Sequence, residues 1–304
     1  RNRLLIFALL TFIVPLLLTY FMGIHLLNYG ITASLLLGCI MASNTLVAYP
    51  IVSRYGLQRK PSVTLSVGSS IISLIFSLIM LAAIVASNKG EGSIGFWLFF
   101  VSKFVIYCAA AIFLLPRLTR WFLRRYSDAV MQFIFVLASL FLCAALSAAI
   151  GLEGIFGAFL SGLILNRYIP SVSPLKNRLE FIGNAVFIPY FLIGVGMLIN
   201  VRLLFTGGGI LWAVICITLF GTLGKAIAAC FGFRMPISSG HMMFGMTSAH
   251  AAGAIAMVMV GMNLLGEDGA PLVSAQMLNA VIVMILFTCI ISSVIKEQSA
   301  QRII

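Results

Sequence analysis

The sequence contains very little charge for its length. Only 9% of its 304 residues are charged, and just 7 of them are Asp or Glu. Soluble globular domains carry about 25% charged residues, so this composition excludes an ordinary soluble domain. Apolar residues make up 62% of the chain, and the mean hydropathy is +1.16. Lipid must therefore be the solvent for most of the surface.

The motifs of common enzymes and of metal sites are also missing. The 6 cysteines lie inside apolar runs without CxxC or CxxH spacing, which predicts buried free thiols and neither disulfides nor a zinc site. GxSxG and HExxH sequences are absent, and His241, His250 and Glu153 have no metal-ligand spacing. We therefore expect no enzymatic activity, no metal and no cofactor.

Long apolar runs fill most of the chain. A transmembrane helix needs about 20 mainly apolar residues, whereas a transmembrane β-barrel is built from short segments of alternating polarity. The pattern predicts an all-α polytopic membrane protein with about ten transmembrane helices, forming a single transmembrane domain over residues 1–304. The predicted spans are 4–22, 33–52, 62–86, 95–115, 130–150, 153–167, 179–199, 208–231, 238–262 and 271–293.

The basic residues are spread unevenly over the connections between these spans. Alternate connections on one side carry 15 of the 19 Lys and Arg residues, with Lys296 and Arg302 among them, whereas the other side carries only Lys89 and Arg202. Cytoplasmic loops are enriched in Lys and Arg, so we expect both ends of this segment to be cytoplasmic. The net charge of +12 then reflects topology, and nucleic acid is not an expected partner.

Few ionisable residues lie inside the predicted spans. Lys225 is close to the middle of its span, too deep to reach the headgroups easily. Lys103 is nearer a span end, from which its long side chain reaches the interface, and we expect Glu153 at the interface as well. An ionisable residue at membrane depth is a functional candidate by default, so Lys225 is the main candidate for a site-lining role.

Two predicted spans are interrupted by small and hydrogen-bonding residues. The second span contains Asn44 and Thr45, and the ninth contains Ser248, His250 and Gly253. Residues of this kind can simply let helices pack closely. A pair of broken helices, however, is the best sequence sign of a transporter's binding site.

The positions of the two interruptions favour the transporter interpretation. The second and ninth spans cross the membrane in opposite directions, so residues 1–86 and 208–293 are predicted to be the halves of an inverted repeat. In such a repeat the two discontinuous helices cross near mid-membrane, and a nearby charge balances the dipoles of the half-helices. Lys225, one span before the second interruption, is placed to supply that charge.

Two further segments resemble motifs of a known transporter family. The segment 152–165 (LEGIFGAFLSGLIL) is similar to a Gly-Ala-Phe-Leu-Ala-Gly motif, and 189–197 (PYFLIGVGM) to a Pro-(Leu)-Phe-Phe-(x)-(x)-(x)-Gly-(Leu/Met) helix. Together with Lys225 and the two interrupted segments, they resemble the cation:proton antiporter 2 family along essentially the whole chain. Members of that family exchange sodium or potassium for protons across the membrane.

The resemblance carries further expectations. It implies an inverted-repeat antiporter fold of twelve or thirteen helices, of which the first two are missing from this segment. It also implies that the full-length protein is a homodimer in the bacterial inner membrane. If the full-length protein has a soluble regulatory domain, that domain is expected to follow residue 304. The expected ion-binding or coupling residues are Asn44, Thr45, Ser73 and Lys225, and the second break is expected at Ser248, His250 and Gly253.

One departure from the family pattern concerns the ion-binding aspartate of its fifth helix. The matching position here is Leu74, preceded by Ser73, and a shifted register gives Ser69 and Ser70. A mid-membrane carboxylate binds either a cation or a proton, and this competition couples the two fluxes. Serine hydroxyls and Asn44 can ligate a cation but do not exchange it for a proton near neutral pH. Lys225 is then left without an acidic partner.

Three hypotheses follow. The first is a secondary transporter that exchanges a monovalent cation for protons, with Lys225 as a candidate proton carrier. The second is the same fold carrying an anion near Lys225, and the third is a non-transporting regulatory membrane subunit. The first predicts cation-dependent proton flux that is weakened by Lys225→Ala or Asn44→Ala, and the second predicts stabilisation by an anion that is lost with Lys225. The third predicts neither effect, and any flux should be nearly unchanged by both substitutions.

Overall fold

The computed structural model describes residues 2–44, 52, 55–57, 60–88, 94–152, 154–170, 173–198, 208–231, 237–266 and 269–303. The regular secondary structure of this part of the chain is helical, apart from one isolated bridge between Leu265 and Pro271. Its α-helices are α1 (Asn2–His25), α2 (Ile31–Ala42), α3 (Pro61–Asn88), α4 (Ile94–Arg125), α5 (Ala129–Ala149), α6 (Gly154–Asn166), α7 (Pro174–Ile182), α8 (Ile188–Leu198), α9 (Gly208–Phe231), α10 (Ile237–Thr247), α11 (Ala252–Met262) and α12 (Ala275–Ile303).

Six of the described helices are long and apolar enough to cross a membrane. They cover Arg3–His25, Pro61–Asn88, Trp97–Arg125, Ala129–Ala149, Gly209–Cys230 and Ala275–Arg302. The all-α membrane architecture is therefore as predicted. The predicted span 179–199 is not one regular α-helix. It covers the end of α7, a π-helical segment (Gly183–Phe187) and α8.

The short helices explain why fewer than ten long spans are present among the described residues. α2 has 12 residues and α6 has 13, so at 1.5 Å per residue each is about 20 Å long, shorter than a hydrocarbon core of about 30 Å. The predicted span 238–262 is divided into α10 and α11, because Ser248–Ala251 are not helical. α2 likewise ends at Ala42, where Ser43 is extended.

The described chain divides into two compact units. The first comprises residues 1–84 and 199–304, and the second residues 85–198. In the first unit α1 packs on α2 and α9, and α12 packs on α9 and α10. α3 joins them through contacts such as that of Phe76 with Phe12, whose ring centroids lie 5.6 Å apart. The three hydrogen-bond partners of Lys225 lie in this first unit.

The second unit is built around α5 and α6. α5 packs on α4, α6 and α7, and Asp128 caps its first turn by accepting from the N–H groups of Val130 and Met131. α7 begins at Pro174, where the Ser173 hydroxyl accepts from the N–H of Lys176. These caps satisfy N–H groups that a helix start leaves unpaired, and they mark the connections before α5 and α7.

Lys296 lies in a helix and not in a connection. The last span was predicted to end at 293, but α12 continues to Ile303, and Lys296 is completely buried. Its Cγ lies close to Gly245 of α10. The cause is helix packing, because α12 continues against α10 beyond the end of the apolar run, with Ser299 and Ala300 buried too. Arg302 is exposed in the last turn of α12.

Candidate functional site: a buried lysine at a helix end

Lys225 is fully buried in α9, and its ammonium group is held by three oxygen atoms. It donates to the carbonyl oxygens of Thr11 and Ala42, each at 2.9 Å. It also donates to Oδ1 of Asn44. An ammonium group has three hydrogens to donate, so these partners use its full capacity. The side chain therefore links α9 to α1 and to the end of α2.

Both carbonyl oxygens are available because no N–H of their own helix binds them. In α1, residue 15 is proline, which has no N–H to donate to the carbonyl four residues earlier, that of Thr11. Ala42 is the last residue of α2, and the final carbonyls of a helix have no partner within it. The end of a helix also carries partial negative charge, which stabilises a cation at this position.

Close packing of α9 on α1 brings the lysine to Thr11. Gly224 precedes Lys225, and a Cβ atom there would lie 2.7 Å from the Cα of Pro15. That distance is too short for a side chain, so only glycine allows this approach. Gly224 and Pro15 therefore act together, one by closing the gap and the other by freeing the carbonyl.

α3 contributes a buried row of serines to the same region. Ser73 is buried, and its hydroxyl donates to the Ala42 carbonyl at 2.7 Å, the same oxygen that binds Lys225. Ser70 and Ser77 are buried one turn away on either side of Ser73, and neither hydroxyl has a hydrogen-bond partner among the described residues. Leu74 is only half-buried, and it supplies no charge.

The second break contacts the end of the first broken helix through His250. This residue is fully buried, and its Nε2 lies 3.0 Å from the carbonyl oxygen of Met41. A carbonyl only accepts, so we assign the ring hydrogen to Nε2, which leaves Nδ1 as a free acceptor in the neutral ring. The backbone carbonyl of His250 in turn accepts from Cys289 of α12 at 3.2 Å.

Several polar atoms near these contacts have no hydrogen-bond partner within the described residues. They are Asn44 Nδ2, Ser70 Oγ, Ser77 Oγ, Ser248 Oγ and His250 Nδ1. Buried polar atoms are nearly always paired with protein or with water. These unpaired atoms lie on the two broken helices and on α3, and they are candidates to bind a ligand or water.

A carboxylate is missing from the surroundings of Lys225 in the described part of the first unit. The one Asp or Glu residue that the structure describes there is Glu297, and its side chain is exposed. The one ion pair found among the described residues, Lys176 with Glu180, lies in the second unit. No group of three or more potential metal ligands occurs in the described chain. Among the described residues, the site is therefore built from hydroxyl, amide and carbonyl groups around one amine.

The family comparison covers nearly the whole chain. Residues 1–297 match the family described as "Sodium/hydrogen exchanger, transmembrane". The chain belongs to this family. The match confirms the resemblance that the sequence motifs indicated, and it makes the chain a multi-pass membrane protein of a transporter family.

Individual relatives of this exchanger family support the same assignment. The Na(+)/H(+) antiporter NhaS5 of Synechocystis sp. is 33% identical over 308 residues, covering 100% of this chain and 44% of the relative. The Na(+)/H(+)-K(+) antiporter GerN of Bacillus cereus is 25% identical, covering 83% of this chain and 64% of the relative. Cation/H(+) antiporter 18 of Arabidopsis thaliana is 23% identical, covering 88% of this chain and 34% of the relative. The chain spans roughly one to two thirds of the length of these relatives.

The structure brings most of the sequence-predicted site residues together. Asn44 and Ser73 join Lys225 through direct contact or a shared oxygen. His250 and Ser248 lie in the second break, whereas Gly253 lies in the first turn of α11. Thr45 and Glu153 are outside the residues that the structure describes.

Sequence reasoning missed the backbone partners of the lysine. The carbonyls of Thr11 and Ala42 leave no mark in their own side chains, so residue types alone do not reveal them. The available signal was Pro15 in the middle of an apolar span, because a proline there frees the carbonyl four residues before it. Of the serines on either side of Ser73, Ser70 was named only for the shifted register, and Ser77 was not singled out.

Proposed function

We propose that this chain is the transmembrane part of a secondary antiporter that exchanges a monovalent cation for protons, and that Lys225 carries the proton. The observation that carries this proposal is the set of three oxygen atoms around a buried ammonium group, with no carboxylate beside it in the described residues. Relatives named as Na(+)/H(+) antiporters support the general activity.

The oxygens that hold Lys225 are suitable ligands for a sodium or potassium ion. Carbonyl and amide oxygens bind alkali cations, and here they come from Thr11, Ala42 and Asn44. The unpaired hydroxyls of Ser70 and Ser77 are candidates for further ligands. When Lys225 loses its proton and withdraws, a cation can take the place of the ammonium.

Electrostatics makes the two occupants exclude each other. Two unit charges about 4 Å apart repel by about 4 kcal/mol at an effective dielectric constant near 20, which corresponds to roughly a thousandfold in binding. A cation therefore binds mainly when Lys225 is neutral, and a proton returns mainly when the cation has left. This competition couples one cation to one proton and replaces the carboxylate chemistry of the family.

Anion transport at Lys225 is less well supported by the geometry. All three hydrogens of the ammonium are already donated to protein oxygens, so none is left for an anion. The free N–H donors of Asn44 are the one feature that favours an anion. A non-transporting subunit would keep the same contacts, and only a flux measurement separates it from a transporter.

The proposal includes an architecture of about ten spans with both ends in the cytoplasm. Residues 1–86 and 208–293 would form the inverted repeat, whose two discontinuous helices cross at the site. The contact of His250 with Met41 and the grouping of residues 1–84 with 199–304 support this arrangement. A location in the bacterial inner membrane and a homodimer of the full-length protein are part of the same proposal.

Proteoliposomes test the function directly. The full-length protein is reconstituted with a pH-sensitive dye, a proton gradient is imposed, and sodium, potassium or lithium is added in turn. We expect cation-dependent proton efflux in the wild type, at least a roughly hundredfold lower rate in Lys225→Met, and a normal rate in Lys103→Met. Lys103 is a matched control, because it is a spanning-helix lysine whose Nζ lies over the Phe99 ring.

The alternatives give different results in the same experiment. Proton flux that follows the added anion, and not the cation, would support the anion hypothesis. Wild-type protein that is silent with every ion, while an established antiporter is active in the same vesicles, would support the non-transporting subunit. Equal rates in the wild type and Lys225→Met would exclude Lys225 as the proton carrier.

A further inference from the structure

The C-terminal part of α4 carries an arginine cluster that the transport site does not use. Arg117, Arg120, Trp121, Arg124 and Arg125 line one shallow depression of about 480 Å³. Residues 117, 120, 121 and 124 are spaced three and four apart, so they share one helix face. The four arginines and Trp121 are called the arginine cluster below.

No carboxylate in the described part of the protein neutralises this cluster. None of its arginines forms an ion pair with a described carboxylate. Arg117 and Arg120 each donate one N–H to a carbonyl four residues earlier, at 3.0 and 3.3 Å. These bonds orient the guanidinium groups and leave most of their five N–H donors free for an external acceptor.

The helix length places the cluster at the edge of the membrane. α4 has 32 residues, which is about 48 Å at 1.5 Å per residue, against a hydrocarbon core of about 30 Å. The helix therefore extends beyond the core at one end or at both ends. The turns before the cluster expose large apolar side chains, for example Ile106, Phe113 and Leu114, each more than half exposed. This apolar surface runs directly into the cluster, as at a lipid-facing helix that reaches the headgroups.

We propose that the arginine cluster binds the phosphate headgroups of anionic phospholipids. Guanidinium groups bind phosphate oxygens in a bidentate manner, and four of them within nine residues match more than one negative headgroup. Trp121 is 59% exposed, as expected of an aromatic side chain at the membrane interface. The exposed apolar side chains one to three turns earlier face the acyl chains of the same lipids. Clusters of Lys and Arg next to a spanning helix attract anionic lipids in this way.

Lipid-dependent thermal stability tests the proposal independently of transport. Full-length protein in detergent is heated with phosphatidylglycerol, with phosphatidylcholine or with inorganic phosphate. We expect phosphatidylglycerol to raise Tm by roughly 5 °C more than phosphatidylcholine, and inorganic phosphate to have no effect. The triple variant Arg117→Gln/Arg120→Gln/Arg124→Gln should lose this difference. The control Arg167→Gln/Lys176→Gln/Arg178→Gln, with the same change in charge, should keep it.

Several results would overturn the proposal. They are equal stabilisation by both lipids, the same stabilisation by inorganic phosphate alone, and an equal loss in both triple variants.

A second measurement covers the case in which the arginine variant does not fold. Brominated phosphatidylglycerol should quench tryptophan fluorescence of the otherwise unchanged protein more than brominated phosphatidylcholine does. The excess should disappear in Trp121→Phe. Equal quenching by the two lipids, or an excess that persists in Trp121→Phe, would contradict headgroup binding at the cluster.

Discussion

Replacing Asn44 with alanine removes one of the three oxygen atoms that hold the Lys225 ammonium. Oδ1 of Asn44 accepts from Nζ, and Asn44 is 2% exposed, so water has little access to replace it. The other two acceptors, the carbonyls of Thr11 and Ala42, belong to the backbone and remain. The variant therefore weakens the binding of the proton without removing the lysine.

The size of the effect follows from the type of hydrogen bond. A hydrogen bond to a charged group contributes about 1.5–3 kcal/mol, which corresponds to roughly one to two pH units of proton affinity. The loss affects the charged form of Lys225, so the lysine releases its proton at lower pH. The cation binds mainly when Lys225 is neutral, so the transport rate falls at acidic pH, and this fall is called the acid limb of the pH profile. We expect the acid limb to move to lower pH by about one to two units in the variant.

The assay is cation-driven proton flux in proteoliposomes between about pH 5 and pH 9, at one fixed cation concentration well below the apparent KM of the wild type. Asn44 is also a proposed cation ligand, so the apparent KM for the cation should rise at high pH, and this separates the two roles. Asn44→Asp is the matched control, because a carboxylate next to the ammonium should move the acid limb to higher pH. An acid limb that stays in place in Asn44→Ala, or moves to higher pH, would refute the reasoning.

Three further changes test other parts of the site. Gly224→Ala puts a Cβ 2.7 Å from a backbone atom of α1, and overpacking of this kind costs about 1–3 kcal/mol. Its Tm should therefore fall, whereas Gly209→Ala in the same helix has free space and should melt like the wild type. His250→Phe leaves the Met41 carbonyl unpaired and should slow transport. His250→Gln can donate a hydrogen bond again, so it should transport faster than His250→Phe. Equal rates in the two variants would show that the hydrogen bond to Met41 does not matter for transport. Leu74→Asp should lower the apparent KM for the cation, and an unchanged KM would place residue 74 outside the site.

Much of the fold could be predicted from the sequence. The apolar runs are long and nearly uncharged, so their helices and approximate bounds follow from length and composition. The interruption at Ser248–Ala251 was also readable, because hydrogen-bonding and small residues are rare in the middle of an apolar run. Lys225 stood out for the same reason, as one of few charges at membrane depth.

The partners of Lys225 could be predicted only in part. Asn44 was recognised because its side chain carries the oxygen, but the Thr11 and Ala42 carbonyls are free for reasons of backbone geometry. The burial of Lys296 was not predicted, because the apolar run of the last span ends before it. In the structure it is fully buried, since α12 continues against α10.

The most direct test of the account measures the apparent KM for sodium or potassium as a function of pH in wild-type proteoliposomes. If the cation and the Lys225 proton compete for the same oxygens, KM should rise about tenfold per pH unit on the acid side, while the maximal rate stays constant. A KM that does not depend on pH, with a maximal rate that falls instead, would contradict a shared site. Competition that persists in Lys225→Met would show that another group carries the proton.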